Sequence, residues 1–184
     1  MTEQVPGQPL PAAPALVRDF VNTEDHEIDT DELSTAAGLG SWLRDRALWD
    51  GAGEVGPDDL ELARALRAGL RRALVQNHDG EAGAPADLGE IVSRLPVALG
   101  WGETGPRLLP AGDGVAAGVA RIGIAALDSA STGAWSRLKI CPADDCAWAY
   151  YDHSRNRSRN WCEYGCGNKA KTRAYRQRLR AQRG

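Results

Sequence analysis

The chain contains four cysteines, and all of them lie within 26 residues, at Cys141, Cys146, Cys162 and Cys166. They form a C-x4-C pair and a C-x3-C pair with 15 residues between the pairs. Two such pairs can supply the four thiolates of a tetrahedral zinc site. His153, between the pairs, could replace one thiolate, but four cysteines already complete the tetrahedron. We therefore predict one zinc ion held by the four cysteines.

Disulfide bonds or redox-active thiols are the alternative use of these cysteines. The N-terminal residues have no basic segment, and Pro11 and Pro14 interrupt their apolar stretch, so no signal peptide is predicted. No run of about 18 apolar residues exists that could span a membrane. These features favour a cytoplasmic protein without a membrane partner, in which thiols stay reduced and clustered cysteines are more often metal ligands.

Charge divides the chain into an acidic body and a basic tail. Residues 153–184 contain ten Lys and Arg but only one acid, Glu163, which is a formal charge of +9. The remaining residues contain 12 basic and 24 acidic side chains, which is −12, so the near-neutral total of −3 hides the asymmetry. Such a tail is typical of proteins whose partner is a nucleic acid or another polyanion.

The tail is predicted to end in a helix that opens at Gly167 and Asn168. Its cations recur at intervals of four, three, four and three, which places them on one face. The members of that face are Lys169, Arg173, Arg176, Arg180 and Arg183, and Lys171 and Arg178 widen it. A second, narrower face is predicted to dock on the cysteine pairs; it consists of Thr172, Tyr175 and Leu179.

The sequence of the acidic body predicts mainly helices and one small hairpin. Apolar spacing predicts a helix at 16–21, one capped by Thr30 or Asp31 that runs to about Leu48, and an amphipathic helix that starts at Pro57. In the last of these, Arg64, Arg71 and Arg72 lie outside the apolar stripe and Arg67 at its border, so we expect solvated arginines. Further along, the patterns predict a short helix at 86–94, a hairpin at 96–109 and a buried helix at 114–128.

The fold class predicted from these elements is α+β: a mostly helical N-terminal domain with a small β-hairpin, then a small four-cysteine zinc finger and a basic C-terminal helix. The expected division is a disordered leader at 1–15, a helical domain at 16–135 that could sense a ligand, and the finger with its helix at 136–184.

Two sets of aromatic residues each have two possible roles. Those around the cysteines either cover the metal or stack on single-stranded bases: Trp148, Tyr150, Tyr151 and Trp161. Those of the body either pack in the core or line a small-molecule pocket: Trp42, Trp49, Trp101 and Trp135. A third idea is that the acidic body masks the basic tail electrostatically.

Residues from Leu138 to Arg178 resemble the CGNR zinc finger, whose motif is written here as Cys166, Gly167, Asn168 and Lys169. The segment DFVNT, at 19–23, resembles the opening of the ABATE domain, which usually precedes that finger. The resemblance implies zinc, DNA binding and a role as a stress-induced transcriptional regulator. Two departures are Lys169 in place of Arg, and the x3 spacing of the last cysteine pair, which Gly165 could absorb.

The sequence therefore predicts a cytoplasmic, zinc-dependent transcription regulator that binds double-stranded DNA as a homodimer and responds to a small-molecule effector. We expect no enzyme, because no nucleophile and base spacing or phosphate loop is visible. The alternative is a zinc module that binds RNA, single strands or a protein. The residues predicted to contact nucleic acid are Arg155, Arg157, Asn168, Lys169, Lys171, Arg173, Arg176 and Arg180.

Overall fold

The computed structural model describes residues 10–81, 83–103 and 105–181. This part of the chain forms six α-helices and three antiparallel two-stranded hairpins, which confirms the predicted α+β fold class. In chain order the elements are α1 (Ala12–Val21), β1 (Glu24–Asp25), β2 (Thr30–Asp31), α2 (Ala36–Asp45), α3 (Pro57–Asp79), α4 (Leu88–Ser93), β3 (Val97–Gly102), β4 (Gly105–Pro110), α5 (Val115–Ser131), β5 (Leu138–Ile140), β6 (Ala149–Tyr151) and α6 (Cys166–Ala181).

Two helix starts differ from the sequence-based expectation. Helix α1 begins at Ala12 rather than at residue 16, because Pro14 falls in the first turn, where a helix needs no donor from the backbone. Helix α2 begins at Ala36, and its cap is Thr35, whose hydroxyl accepts a hydrogen bond from the Gly38 backbone at 3.0 Å. Thr30 and Asp31, the expected caps, form strand β2 instead.

The core lies between α1, α3 and α5. Its fully buried side chains include Phe20, Leu66, Leu70 and Ile122. Helix α5 approaches closely at Gly118, as predicted, since a Cβ there would lie only 3.1 Å from the Leu48 carbonyl oxygen. The missing side chain at Gly118 therefore lets α5 pack closely against α2 and the segment that follows α2.

The arginines of α3 were expected to be solvated, and that expectation is wrong for Arg67. Its side chain is 7% exposed, and its guanidinium donates to both carboxylate oxygens of Asp31, at 2.5 and 2.8 Å, and to the Thr23 hydroxyl at 2.9 Å. A fork-shaped cation matches a carboxylate in this two-point geometry. Arg67 thus ties α3 to the hairpin formed by β1 and β2.

Arg71, which is half-buried, and Arg64, which is exposed, donate to backbone carbonyl groups. Arg71 donates to the carbonyl oxygens of Ala147 and Val21, at 2.9 and 2.8 Å. Arg64 donates to those of Leu33 and Ser34, at 2.8 and 2.7 Å. These carbonyl groups, in the last turn of α1 and in loops, have no strand or helix partner, so the arginines supply the missing donors. Arg64 and Arg72 are the exposed members of the four, as expected, and the partner of Arg72, Asp87, is exposed too.

The predicted hairpin is confirmed as β3 and β4, which pair from Val97 with Pro110 to Gly102 with Gly105. Strand β4 packs against α5, while Leu99 and Trp101 on β3 face away and are 78% and 79% exposed.

The proposed boundary at residue 135 stays a prediction. The first nine residues of the predicted leader lie outside the described ranges, but residues 12–15 belong to α1, so the expectation of a disordered leader is wrong there. Strand β5 packs against α3, and Leu138, Ile140 and Ala149 belong to the main core. The segment that carries the cysteines is therefore joined to the helical body by shared apolar packing.

Among the helices that the structure describes, none is long and apolar enough to cross a lipid bilayer.

The ion pair between Arg67 and Asp31 gives a prediction about stability. Replacing Asp31→Asn leaves the buried guanidinium with only the more distant Glu24 carboxylate, at 4.0 Å, so we expect the free energy of unfolding to fall by about 2 to 3 kcal/mol at pH 7, a figure reduced because Asp31 is partly exposed. The matched control is Asp87→Asn, whose partner Arg72 is exposed, with an expected loss below about 1 kcal/mol. Urea unfolding measures both, and equal losses would contradict a special role of Arg67.

The same pair predicts a pH dependence. The hydrogen bonds from Arg67 lower the pKa of the Asp31 carboxyl below its ordinary value. A lowered folded-state pKa contributes stability that is present above the unfolded value, about 3.9, and is lost as the pH falls through the folded value. The difference in free energy of unfolding between the wild type and Asp31→Asn should therefore be constant down to about pH 5 and should become smaller below about pH 4.

Candidate metal centre and nucleic-acid interface

The fold brings the four predicted ligands together. Cys141 follows β5, Cys146 lies in the turn before β6, Cys162 lies in the next loop, and Cys166 is the first residue of α6. Their sulfur atoms all lie within 4.8 Å of one another, with 3.7 Å between Cys146 and Cys162 and 3.5 Å between Cys162 and Cys166. A zinc ion with bonds of about 2.3 Å to four sulfurs requires edges of about 3.8 Å.

The separations exclude a disulfide in this arrangement, since a bonded pair of sulfurs lies at about 2.05 Å. His153 is not part of the cluster and instead packs edge-on against Tyr151, with 4.8 Å between ring centres. The four-cysteine prediction is thus the arrangement that the fold assembles, rather than the alternative in which a histidine replaces one cysteine.

The chemistry of the donor set also fits a divalent cation. All four thiols are buried, and burial raises the pKa of the Cys166 thiol to about 11 and raises that of Cys146 as well. Burial acts in the same sense on Cys141, but backbone N–H groups of Cys162 and Ala143 outweigh it, and the pKa of Cys141 is lowered. Four thiolates therefore coexist here only around a cation, and zinc is the cofactor that the site fits.

Three of the four aromatic residues cover the sulfur cluster, which agrees with the first of the two interpretations. Tyr150 is buried beside the sulfurs, and its hydroxyl donates to the Arg159 carbonyl oxygen at 2.8 Å. Trp148 and Trp161 pack on the same cluster and are partly buried. Tyr151 instead contacts the core of the helical body.

A buried ion pair organises the loop before Cys162, and the sequence reasoning missed it. The Lys139 ammonium lies 2.8 Å from an Asp152 carboxylate oxygen, and both side chains are at most 5% exposed. Lys139 also donates to the carbonyl oxygens of Arg157 and Arg159, while Asp152 accepts from the Ser154 and Arg159 backbone. Burial works to raise the pKa of Asp152, but Lys139 and these donors outweigh it and lower that pKa. The one sequence signal was a lysine inside the apolar strand Leu138–Ile140.

Glycines shape the start of α6. Gly165 has φ +81°, the left-handed conformation that lets the short C-x3-C spacing close. At Gly167 an added Cβ would lie 3.2 Å from the Trp161 ring, so the helix rests directly on that indole. Together with Cys166, these two residues determine the direction in which α6 leaves the metal site.

Helix α6 presents one continuous basic face. Five of the residues predicted to contact nucleic acid line a shallow, open depression along it: Asn168, Lys169, Arg173, Arg176 and Arg180. Thr172 lines the same depression, and Tyr175 is exposed, so the predicted second face that would dock on the cysteine pairs is wrong. The side chain of Leu179, its third member, lies outside what the structure describes.

The other three predicted contact residues lie elsewhere. Lys171 is exposed on α6 but does not line the depression. Arg155 and Arg157 lie in the loop after β6, where Arg157 donates to the Ser136 hydroxyl at 2.7 Å. The structure therefore brings five of the eight residues to one surface.

An acidic side chain of the body contacts the first turn of α6. The Glu27 carboxylate, in the turn between β1 and β2, lies 3.3 Å from the Lys169 ammonium and raises the pKa of that lysine. Both side chains are about half exposed, so the pair is weak.

The four tryptophans that were considered as the lining of a small-molecule pocket are not brought together. Trp42 is 1% exposed in the core, whereas Trp101 is 79% exposed on β3. Trp49 is buried and donates to the Ala52 carbonyl oxygen, and Trp135 packs on the core near β5. Core packing, the alternative expectation, describes Trp42; Trp49 is buried in the core too, but it also lines an open depression beside Arg44 and Arg121.

A zinc finger docked on a mostly helical body defines the class of this protein, and comparison with protein families agrees. Residues 14–150 match the ABATE family, described as "Putative stress-induced transcription regulator", and residues 137–179 match the CGNR zinc finger. Because the first match covers more than half of the chain, the chain belongs to the ABATE family, and it carries a CGNR zinc finger. Among the curated proteins compared with it, none matches.

The metal site predicts one zinc ion per chain. Cys162→Ser removes a ligand that lies close to two other sulfurs, so we expect the purified variant to lose its zinc, as measured by elemental mass spectrometry. Amide protection in α6 should fall with it, because Cys166 starts that helix.

The matched control for this change is His153→Ala, which removes the other residue considered as a ligand and should keep one zinc per chain. Full zinc content in Cys162→Ser, or its loss in His153→Ala, would contradict the four-cysteine site.

Proposed function

We propose that this protein is a zinc-dependent, DNA-binding transcription regulator that uses α6 as its DNA-contacting element. The observation that carries the proposal is the exposure of α6. Every side chain described from Lys171 to Arg178 is exposed, and the helix has six cations and no acid. Such a helix repels itself electrostatically until a polyanion neutralises it.

The dimensions of α6 suit duplex DNA. Sixteen residues make a helix of about 24 Å, and the major groove is about 12 Å wide, which admits an α-helix. The metal site anchors α6 at its first residue, so the rest of the helix projects from a rigid base.

We assign different contacts to the two ends of the basic face. Arg173, Arg176 and Arg180 recur along the helix and suit phosphates, while Asn168 and Lys169, at its N-terminal end, suit base edges. Lys169 would have to leave Glu27 to do so, and an exposed pair of this kind costs little to exchange.

Duplex DNA is favoured over single strands or RNA as the partner. Binding of single strands relies on aromatic rings that are free to stack on bases. Tyr150 is buried, and Trp148 and Trp161 pack on the sulfur cluster. These three rings therefore pack mainly on the finger's own sulfur cluster, whereas Tyr164, between Cys162 and Cys166, is exposed.

The proposal predicts that two arginines of α6 differ. Arg176→Gln should weaken binding to a duplex enriched from a random-sequence pool and reduce the slope of log K against log salt by about 0.9, the value for one lost phosphate contact. Arg178→Gln is the matched control, since it removes the same charge from the same exposed helix at a position that does not line the depression. Fluorescence anisotropy with the zinc-loaded full chain measures both.

Equal effects of the two substitutions would contradict the assigned face. Tighter binding of single-stranded DNA or RNA than of duplex, at the same salt concentration, would overturn the duplex proposal in favour of the single-strand alternative.

We further propose that the protein acts as a homodimer. One finger-sized surface buries about 600 to 1,000 Å² on DNA, which is little for tight specific binding, whereas two copies double it. Analytical ultracentrifugation of the complex with the enriched duplex should therefore give two chains per duplex. One chain per duplex, at concentrations where DNA binding is saturated, would contradict the dimer.

The proposed role is binding rather than catalysis, and it is exercised in the cytoplasm, where the thiols stay reduced for zinc. We also propose that a small molecule controls DNA binding. The support for control is that the finger is joined to the helical body through shared core packing and through Arg71, so a change in the body can reach α6.

A further inference from the structure

A half-open cleft lies between the helical body and the finger. Its volume is about 360 Å³, which is at the lower end of the range for small-molecule sites. Helix α1, the residue that follows α2 and the residue that follows β2 form one side, and β6 with the loops around the cysteines forms the other. None of the four tryptophans considered from the sequence lines it.

The finger side of the cleft is aromatic. Trp148 meets Tyr164 edge to face, with 5.7 Å between ring centres, and Tyr151 meets His153 at 4.8 Å. Within the described residues, the Trp148 indole N–H and the Tyr151 hydroxyl have no hydrogen-bond partner in the protein. This wall therefore offers flat apolar surface together with free polar groups.

The helical side supplies two opposite charges without ion-pair partners. Arg18 is already paired with Asp19 at 2.7 Å, and Glu163 lies 3.4 Å from Arg159. The remaining charged side chains are those of Arg46 and Glu32, and no ion pair involves either of them in the part of the chain that the structure describes.

The Arg46 guanidinium is also held in place by packing. It lies over the Trp42 ring, 4.2 Å from the ring centre, and Trp42 is itself fixed in the core against Phe20. A guanidinium stacked on a ring keeps its edge N–H groups free, and these suit a carboxylate.

We propose that this cleft binds a small zwitterion with an aromatic body, the chemistry of an aromatic amino acid. Arg46 receives its carboxylate, Glu32 its ammonium group, and the rings of Trp148 and Tyr151 its aromatic body. The inference rests on the proposed control by a small molecule and names the class of that molecule.

A ligand in this cleft would act on the joint between body and finger. Beside it, the Asn22 side chain makes two hydrogen bonds with the Ala149 backbone, donating to its carbonyl oxygen at 2.9 Å and accepting from its N–H at 2.7 Å. A molecule that contacts both walls changes the energy of this joint and hence the affinity for DNA, and DNA changes the ligand's affinity by the same factor.

The test is calorimetric titration of the zinc-loaded full chain without DNA. The probes are L-tyrosine, tyramine, which lacks the carboxylate, and 3-(4-hydroxyphenyl)propionate, which lacks the ammonium group. L-tyrosine should bind at least about tenfold more tightly than either truncated compound, because each loses one charge-assisted contact.

Two substitutions assign the contacts. Arg46→Gln should weaken the binding of L-tyrosine at least about tenfold and leave the affinity for tyramine unchanged. Glu32→Gln should weaken the binding of L-tyrosine and leave the affinity for the propionate unchanged. The matched control is Arg44→Gln, which removes an exposed arginine two residues earlier that does not line this cleft and should change nothing.

Absence of heat with all three compounds, equal binding of L-tyrosine and a truncated compound, or an unchanged affinity in Arg46→Gln would overturn the inference. If L-tyrosine does not bind but the duplex does, this site alone is overturned. If L-tyrosine binds but the duplex does not, the DNA role alone is overturned. An unchanged duplex affinity in saturating L-tyrosine would refute the coupling.

Discussion

Four buried sulfur atoms that must share one cation are the constraint on which the functional part of this protein depends. They connect the end of β5, the turn before β6, the following loop and the first residue of α6. The loop between β6 and Cys162 has few aliphatic residues. In place of an apolar core it is held by the metal site and by the ion pair between Lys139 and Asp152. The direction of α6 therefore follows from metal geometry and from the contact of Gly167 with Trp161, rather than from packing along the helix.

The finger is nevertheless not free of the body. Leu138 and Ile140 are part of the main core, and Asn77 of α3 donates to the Leu138 carbonyl oxygen at 3.1 Å. Arg71 and Asn22 hold the segment around β6 in the same way. A rigid joint of this kind can couple binding of a ligand in the proposed cleft to the position of α6 better than a flexible linker can.

Regular periodicity explains what could be predicted. The apolar stripe of α3, the hairpin of β3 and β4 and the cysteine spacing each depend on neighbours in sequence, and the structure agrees with all three. The partners of Arg67 could not be predicted, because Asp31 lies 36 residues away and the pattern around it favoured a helix start. Sequence also could not distinguish a tryptophan in a core from one in a pocket wall, as Trp42 shows.

The sequence by itself determined the four cysteine ligands of the metal, the excess of cations in the last helix and the α+β class, because each depends on residue type and local spacing. Only the tertiary structure decided which cations share an open surface, where the body meets the finger and which aromatic rings remain accessible. Those properties depend on side chains far apart in the chain that reach the same place, and their positions follow from the packing of α1, α3 and α5 around one core.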